Sequence, residues 1–96
     1  MIEVRQTDEY ARWFARLRDP QARFRILARI RRLSLGNPGD VRSVGEGVLE
    51  LRIDSGPGHR VYFRRHGPAL VILLVGGDKS SQDRDIVRAK QLARGL

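Results

Sequence analysis

Arginine supplies most of the chemistry this chain can do. Arg52 sits in one alternating segment and Arg60, Arg64 and Arg65 in the next, with Gly56-Pro57-Gly58 between them. Guanidinium groups hold phosphate through a planar fork of donors and keep their charge at physiological pH. Glycines let a backbone or a phosphate come close. A plainer reading stands beside this one: Glu50 and Asp54 could pair with the arginines across a hairpin ladder, for roughly a few tenths of a kcal/mol each. His59 opens the segment before Arg60, and His66 lies at a turn; two histidines so spaced assemble no metal site. Lys79 follows Gly76-Gly77-Asp78 and precedes Ser80-Ser81, so a strand-to-helix join would bring positive charge to the end of a sheet. The glycine that a Walker loop places immediately before its Lys-Ser is absent, and no nucleotide or other cofactor is expected.

These residues need a scaffold, and the periodicity supplies one. Ile2 to Arg5 alternates apolar and charged side chains as a short half-buried strand would. Thr7 can cap a helix whose apolar stripe is Tyr10, Trp13, Phe14 and Leu17. Asp19-Pro20 starts a second helix with the stripe Ile26, Leu27, Ile30 and Leu33, ended by Gly36 and Asn37-Pro38-Gly39. The two read as an antiparallel helical hairpin. Val41–Val44, Leu49–Ile53 and His59–Arg65 are candidate strands, and in the second of these Glu50, Arg52 and Asp54 share one face. Ala69–Val75 is apolar throughout, as in a central strand buried on both faces. Ser80 or Ser81 can cap a last helix whose inner side is Ile86, Ala89, Leu92 and Ala93. The sum is β-α-α-β-β-β-β-α, an α+β domain over residues 1–96 with an antiparallel sheet covered by helices.

Composition sets the outer bounds. With 96 residues and 41% hydrophobic side chains, the chain suits one folded domain with one modest core. No cysteine is present, which removes disulfides, thiolate metal sites and cysteine nucleophiles and suits a cytoplasmic protein. The start lacks a signal-peptide pattern, and no apolar run is long enough to cross a membrane. The 19 Lys and Arg against 11 Asp and Glu give +8 and a pI near 11.4. From Arg12 to Arg32 the chain holds eight arginines and one aspartate, a net +7. Arg12 and Arg16 are one turn apart, and Arg25, Arg29 and Arg32 form a second row. Such rows usually make a solvated helix back, but these lack the Glu partners that solubilising faces carry. An RNA or an acidic partner is the favoured reading.

Three segments carry a resemblance. Leu49-Glu50-Leu51-Arg52-Ile53-Asp54, then Gly56-Pro57-Gly58-His59-Arg60-Val61-Tyr62-Phe63, then Leu74-Val75-Gly76-Gly77-Asp78-Lys79-Ser80-Ser81-Gln82 with Asp85-Ile86, are similar to the HigB-like branch of the RelE/ParE toxin superfamily. The match in element order spans nearly the whole chain and implies the RelE-like fold. It also implies the toxin of a type II toxin–antitoxin pair, neutralised by a cognate antitoxin that in this branch is often a helix-turn-helix protein. RelE-type members enter the ribosomal A site and cleave mRNA without metal, so the implied partners are the ribosome and mRNA. Metal-free cleavage uses the RNA 2′-hydroxyl as nucleophile, so the protein must orient it, stabilise phosphate charge and assist proton transfer.

The resemblance places Arg60 at the scissile phosphate, Arg52 where RelE has a lysine, and Lys79 near a basic position after the last strand. Two departures accompany it: Glu50 stands where RelE is basic, and Asp85-Ile86 stands near the family's catalytic tyrosine. No Tyr, His or Trp follows His66. Either His59, Asp85 or another group then transfers the proton, or the chain relies on phosphate stabilisation alone, with Arg12, Arg16, Arg25, Arg29, Arg32, Arg64 and Arg65 as the RNA- or ribosome-binding set. The superfamily's ParE branch poisons DNA gyrase without nuclease chemistry, and a gyrase-directed or purely binding toxin is the alternative.

Overall fold

The period-two segments become strands and the 3.6-period segments become helices. The computed structural model describes residues 1–96. In order these are β1 (Glu3–Gln6), α1 (Asp8–Arg16), α2 (Pro20–Ser34), β2 (Val41–Gly45), β3 (Val48–Ile53), β4 (His59–Arg65), β5 (Leu70–Gly77) and α3 (Gln82–Arg94), with a 3₁₀ turn at Lys79–Ser81. The α+β class is as expected, but the sheet is mixed rather than antiparallel. Its order is β1-β5-β4-β3-β2, and β1 runs parallel to β5. The reason is connectivity: β1 leaves through two helices and no tight turn links it to its neighbour, so only the β2–β5 meander is bound to alternate in direction. β5 lies between β1 and β4, and its residues are apolar on both faces because α1 covers one and α3 the other.

The sheet divides the core in two. One face gathers Leu51, Ile53, Val61, Phe63, Val71 and Leu73 under Tyr10, Ile26 and Leu33 of the first two helices. The other gathers Val48, Tyr62, Leu74 and Val75 under Ala89 and Ala93 of α3. α1 lies over β5 and α2 over β3. Thr7 fixes the entry to α1: its Oγ1 accepts from the Tyr10 N–H and donates to the Leu74 carbonyl at 2.6 Å. Asp19 caps α2 through the Gln21 N–H, with Pro20 in the first turn.

Three local expectations change. Leu27 is not on the inner stripe of α2; it is 54% exposed, and Ala22 joins Ile26 and Leu33 among the buried positions instead. β5 continues through Gly76 and Gly77 rather than stopping there. The need for glycine is one of space: a Cβ on Gly76 would enter the Trp13 ring, and one on Gly77 would enter the Asp85 carboxylate and Ser81. The cap beyond them is Asp78, which accepts from the Ser80 N–H and closes a capping box with Ser81. Neither serine caps α3 with its side chain.

Candidate nucleic-acid interface

The register of β3 and β4 decides which charged groups meet. Arg52 lies opposite Arg60, and Glu50 lies opposite Tyr62. All four therefore point from the same face, the one that α3 covers in part. Glu50 is fully buried. Its Oε2 accepts from the Tyr62 hydroxyl and from Gln82 Nε2, each at 2.9 Å. Three guanidiniums surround the carboxylate: Arg60 Nε lies 3.6 Å from Oε2, while Arg42 Nε and Arg52 Nε each lie 3.7 Å from Oε1. None of the three makes a hydrogen bond with it, and Glu50 Oε1 and Arg60 Nε remain buried without a partner. Burial and the hydrogen bond to Glu50 push the Tyr62 hydroxyl well above its ordinary pKa, so it stays a donor.

Arg60 departs from the expectation that its head would be free to meet RNA. The residue is 6% exposed, and its Nη1 donates to the carbonyl of Gly58 at 3.0 Å. The cause is its neighbours: Glu50 attracts it inward and the Gly58 loop folds over its end. It still lines a cleft of about 410 Å³ together with Arg29, Arg52, His59, Asp40, Asp54, Ile53 and Gly58. Arg52 is partly exposed at the mouth. Lys79 stands over the same loop: its N–H points at the Pro57 carbonyl, and its Cβ borders the space above Gly58 beside Arg60 Nη1. The structure thus brings Arg52 and Arg60 into one cleft at the glycine loop, with the stem of Lys79 beside it, while Lys79 itself lines a separate cavity with Ser80 and Arg84.

The two proton-transfer candidates are separated. His59 is buried and lines this cleft. Its Nδ1 lies 3.1 Å from Ser55 Oγ, and its ring sits edge-on to Trp13. Asp85 belongs to a second cavity of about 250 Å³ between α1 and the start of α3, with Glu9, Trp13, Arg16, Arg84 and Gly77 in its wall. Ser81 Oγ donates to Asp85 Oδ2 at 2.5 Å. Desolvation pushes the Asp85 carboxyl above the usual carboxylate range, against the lowering by that hydrogen bond.

The arginine rows prove to be of two kinds. Arg12, Arg16, Arg32 and Arg65 are exposed. Arg29, expected off the core and free for a partner, instead ties α2 to the sheet: Nη1 donates to the Arg52 carbonyl, and Nη2 to the carbonyls of Pro38 and Asp40. Arg25 Nη1 reaches the Asp54 carbonyl. Arg64 Nη1 donates to the Ala93 carbonyl at 2.7 Å, holding the end of α3. Carbonyls at the ends of strands and helices lack ladder partners, and long arginines nearby satisfy them. Sequence reasoning treated Glu50 as an exposed-ladder partner and assigned no role to Arg42, Tyr62 or Gln82. Parity put Tyr62 on the face of Arg60 and Arg64, but only the register sets it opposite Glu50. Nothing local marks Gln82, which arrives from 32 positions away.

No three His, Asp or Glu side chains come together as metal ligands, and no helix is long and apolar enough to cross a membrane. The fold and cleft define an α+β domain with a mixed sheet and an arginine-lined site beside one glycine loop. No family model matches the chain. It is 50% identical over 95 residues to an uncharacterized protein of Haemophilus influenzae (strain ATCC 51907 / DSM 11121 / KW20 / Rd), covering 99% of this chain and 96% of that one. The chain belongs to the same family as that protein.

Proposed function

We propose that this chain is the toxin of a type II toxin–antitoxin pair, with the RelE-like topology, and that it arrests translation by cleaving mRNA on the ribosome. The observation that carries the proposal is the cleft at the Gly58 loop, where Arg52 and Arg60 share the wall with His59 and the stem of Lys79 lies beside Gly58. A phosphate in the cleft would give these guanidiniums a charged acceptor. In this reading the 2′-oxygen attacks phosphorus and the 5′-oxygen leaves. A base takes the 2′-hydroxyl proton and an acid returns one to the leaving oxygen, giving a cyclic phosphate and a free 5′-hydroxyl. His59 is the proton-transfer group favoured by position, because it lines the cleft and Asp85 does not. The bond to Ser55 engages Nδ1 and leaves Nε2 for exchange.

The test is cleavage of mRNA on purified ribosomes, with DNA supercoiling assayed in parallel. Arg60→Gln should slow cleavage by on the order of a hundredfold or more, the usual effect of removing a positioned charge from a developing transition state. Arg60 is buried, so Arg52→Gln and Lys79→Gln are the cleaner probes. Lys79→Gln should keep the wild-type melting temperature, Arg52→Gln should lower it by at most about 8 °C, and both should lose cleavage. Normal cleavage by both folded variants would overturn the site. Lost supercoiling with unimpaired translation would overturn the ribosome as target and favour a gyrase-directed toxin.

A further inference from the structure

The outer edge of β5 changes character halfway along. β1 pairs with it from Leu70 to Leu73 and no further, and Thr7 takes the carbonyls of Leu73 and Leu74. No strand lies beside Val75, Gly76 and Gly77 on that side. Instead α1 and α3 reach round the edge from the two faces of the sheet, joined by the Glu9–Arg88 ion pair at 2.8 Å. They enclose the cavity of about 250 Å³ that holds Asp85. The two glycines let its walls come close. The Trp13 ring takes the place of a Cβ on Gly76, and the Asp85 carboxylate takes that of a Cβ on Gly77. Asp85 is partly withdrawn from water, yet no cation is in ion-pair contact with it. Ser81 Oγ donates to its Oδ2, and its Oδ1 receives no hydrogen bond. Arg16 and Arg84 stand exposed in the same wall and make neither a hydrogen bond nor an ion pair.

These walls set what a guest must offer. The Glu9–Arg88 bridge closes the edge to a further strand, and the space left suits one small flat group. Two free arginines oppose an amine or guanidinium guest and favour one that carries phosphate. Trp13 offers an aromatic surface on which a heterocycle can stack. An ionised Asp85 is acceptor-only, so it calls for neighbouring N–H donors. Among the RNA bases guanine alone has two adjacent donors, N1–H and the 2-amino group, on its Watson–Crick edge. Adenine and cytosine set an acceptor beside their donor, and uracil sets its donor between two acceptors; each would turn a lone pair toward the carboxylate. We infer that the cavity between α1 and α3 is a binding site for a guanine nucleotide. The base lies against Trp13 and Asp85, and its phosphate meets Arg16 and Arg84. The base can belong to a free nucleotide or to an RNA chain. This goes beyond mRNA cleavage and does not depend on it, since the cavity shares no residue with the Arg60 cleft.

Trp13 is the chain's one tryptophan, so its emission reports on the cavity directly. Titration of the whole protein with guanosine monophosphate should change that emission in a saturable way. Adenosine monophosphate should bind about tenfold more weakly, the discrimination of one bidentate base contact. Inosine monophosphate, which lacks the 2-amino group, should fall between the two. Asp85→Asn puts one acceptor and one donor in place of the acceptor pair. It should melt no lower than the parent and bind the guanine and adenine nucleotides alike. Arg16→Gln and Arg84→Gln, both at exposed positions, should weaken the two nucleotides equally and leave the guanine preference in place. A short oligoadenylate with one guanosine separates the two sources of the base. Tighter binding than the mononucleotide assigns the site to an RNA chain, and no gain assigns it to a free nucleotide. Arg52→Gln, expected to lose cleavage, should bind guanosine monophosphate as the parent does, so the two readings fail separately. Equal affinity for guanine and adenine nucleotides, or a guanine preference that survives Asp85→Asn, would overturn the inference. So would an unchanged tryptophan emission with both the mononucleotide and the oligonucleotide.

Discussion

Replacing Glu50 by Gln removes one charge and almost no volume, and the structure fixes what should follow. Gln can keep the two hydrogen bonds that Tyr62 and Gln82 make to Oε2. It cannot balance the three guanidiniums. Arg42 and Arg52 are exposed enough to recover hydration, so each of their contacts is worth at most about 1 kcal/mol. Arg60 is different: it is 6% exposed, its Nε has no hydrogen-bond partner, and Glu50 is the carboxylate beside it. Removing one member of such a buried pair costs about 3–5 kcal/mol, mostly as the cost of the stranded charge. The long 3.6 Å approach favours the lower end. In a domain of this size each kcal/mol moves the melting temperature by about 4–8 °C, so Glu50→Gln should lower it by about 12–24 °C. The same variant should bind a short RNA or inorganic phosphate more tightly at low salt, because three arginines lose their internal counterion and an external anion can replace it. Thermal melts by circular dichroism and a salt-titrated binding assay read the two effects. A drop of under about 4 °C, or weaker anion binding by a folded variant, would show that Glu50 is not the charge that holds this cluster.

Two further outcomes follow from single groups. Arg29→Gln should cost about 1.5–3 kcal/mol by chemical denaturation, because its guanidinium serves carbonyls of Arg52, Pro38 and Asp40, whereas exposed Arg32→Gln should stay within about 0.5 kcal/mol; equal costs would return Arg29 to the solvated row. Asp85→Asn should stabilise the fold at neutral pH, since the carboxyl is raised in the folded state and its ionisation above that raised value opposes folding. The advantage should shrink as pH falls through the raised value and vanish below the ordinary Asp range; an advantage unchanged between neutral and acidic pH would refute the desolvation reading.

Much of the architecture was legible because it rests on local periods. The alternation of Leu49, Leu51 and Ile53 against Glu50 and Arg52 placed the two faces of β3 correctly, and the uniform run Ala69–Val75 marked β5 as an interior strand, although the middle of the sheet is β4. The parallel pairing of β1 was hidden, because a four-residue strand carries its face in its sequence but not its neighbour's direction. Leu27 was misplaced for a related reason. α2 is apolar on two sides, and periodicity alone does not say which stripe meets the sheet; only the inner one finds Leu51 and Ile53 beneath it.

The site divides along the same line. Strand parity and one glycine loop could bring Arg52 and Arg60 together, whereas Lys79 joined them only through the family resemblance. The depth at which Arg60 lies could not be read in this way, since it depends on Gln82 and α3 closing over Glu50 from the far end of the chain. The burial of Glu50 also changes what the arginines can do. A wholly exposed arginine cluster binds any polyanion and holds no geometry. Arg60 here is fixed by Glu50 on one side and Gly58 on the other, so an arriving phosphate would meet a donor already oriented, without the entropy cost of ordering a free side chain. If the cluster takes a phosphate as proposed, the carboxylate in its middle trades some net positive charge for a defined position. That trade favours recognition of one particular phosphate over adhesion to many.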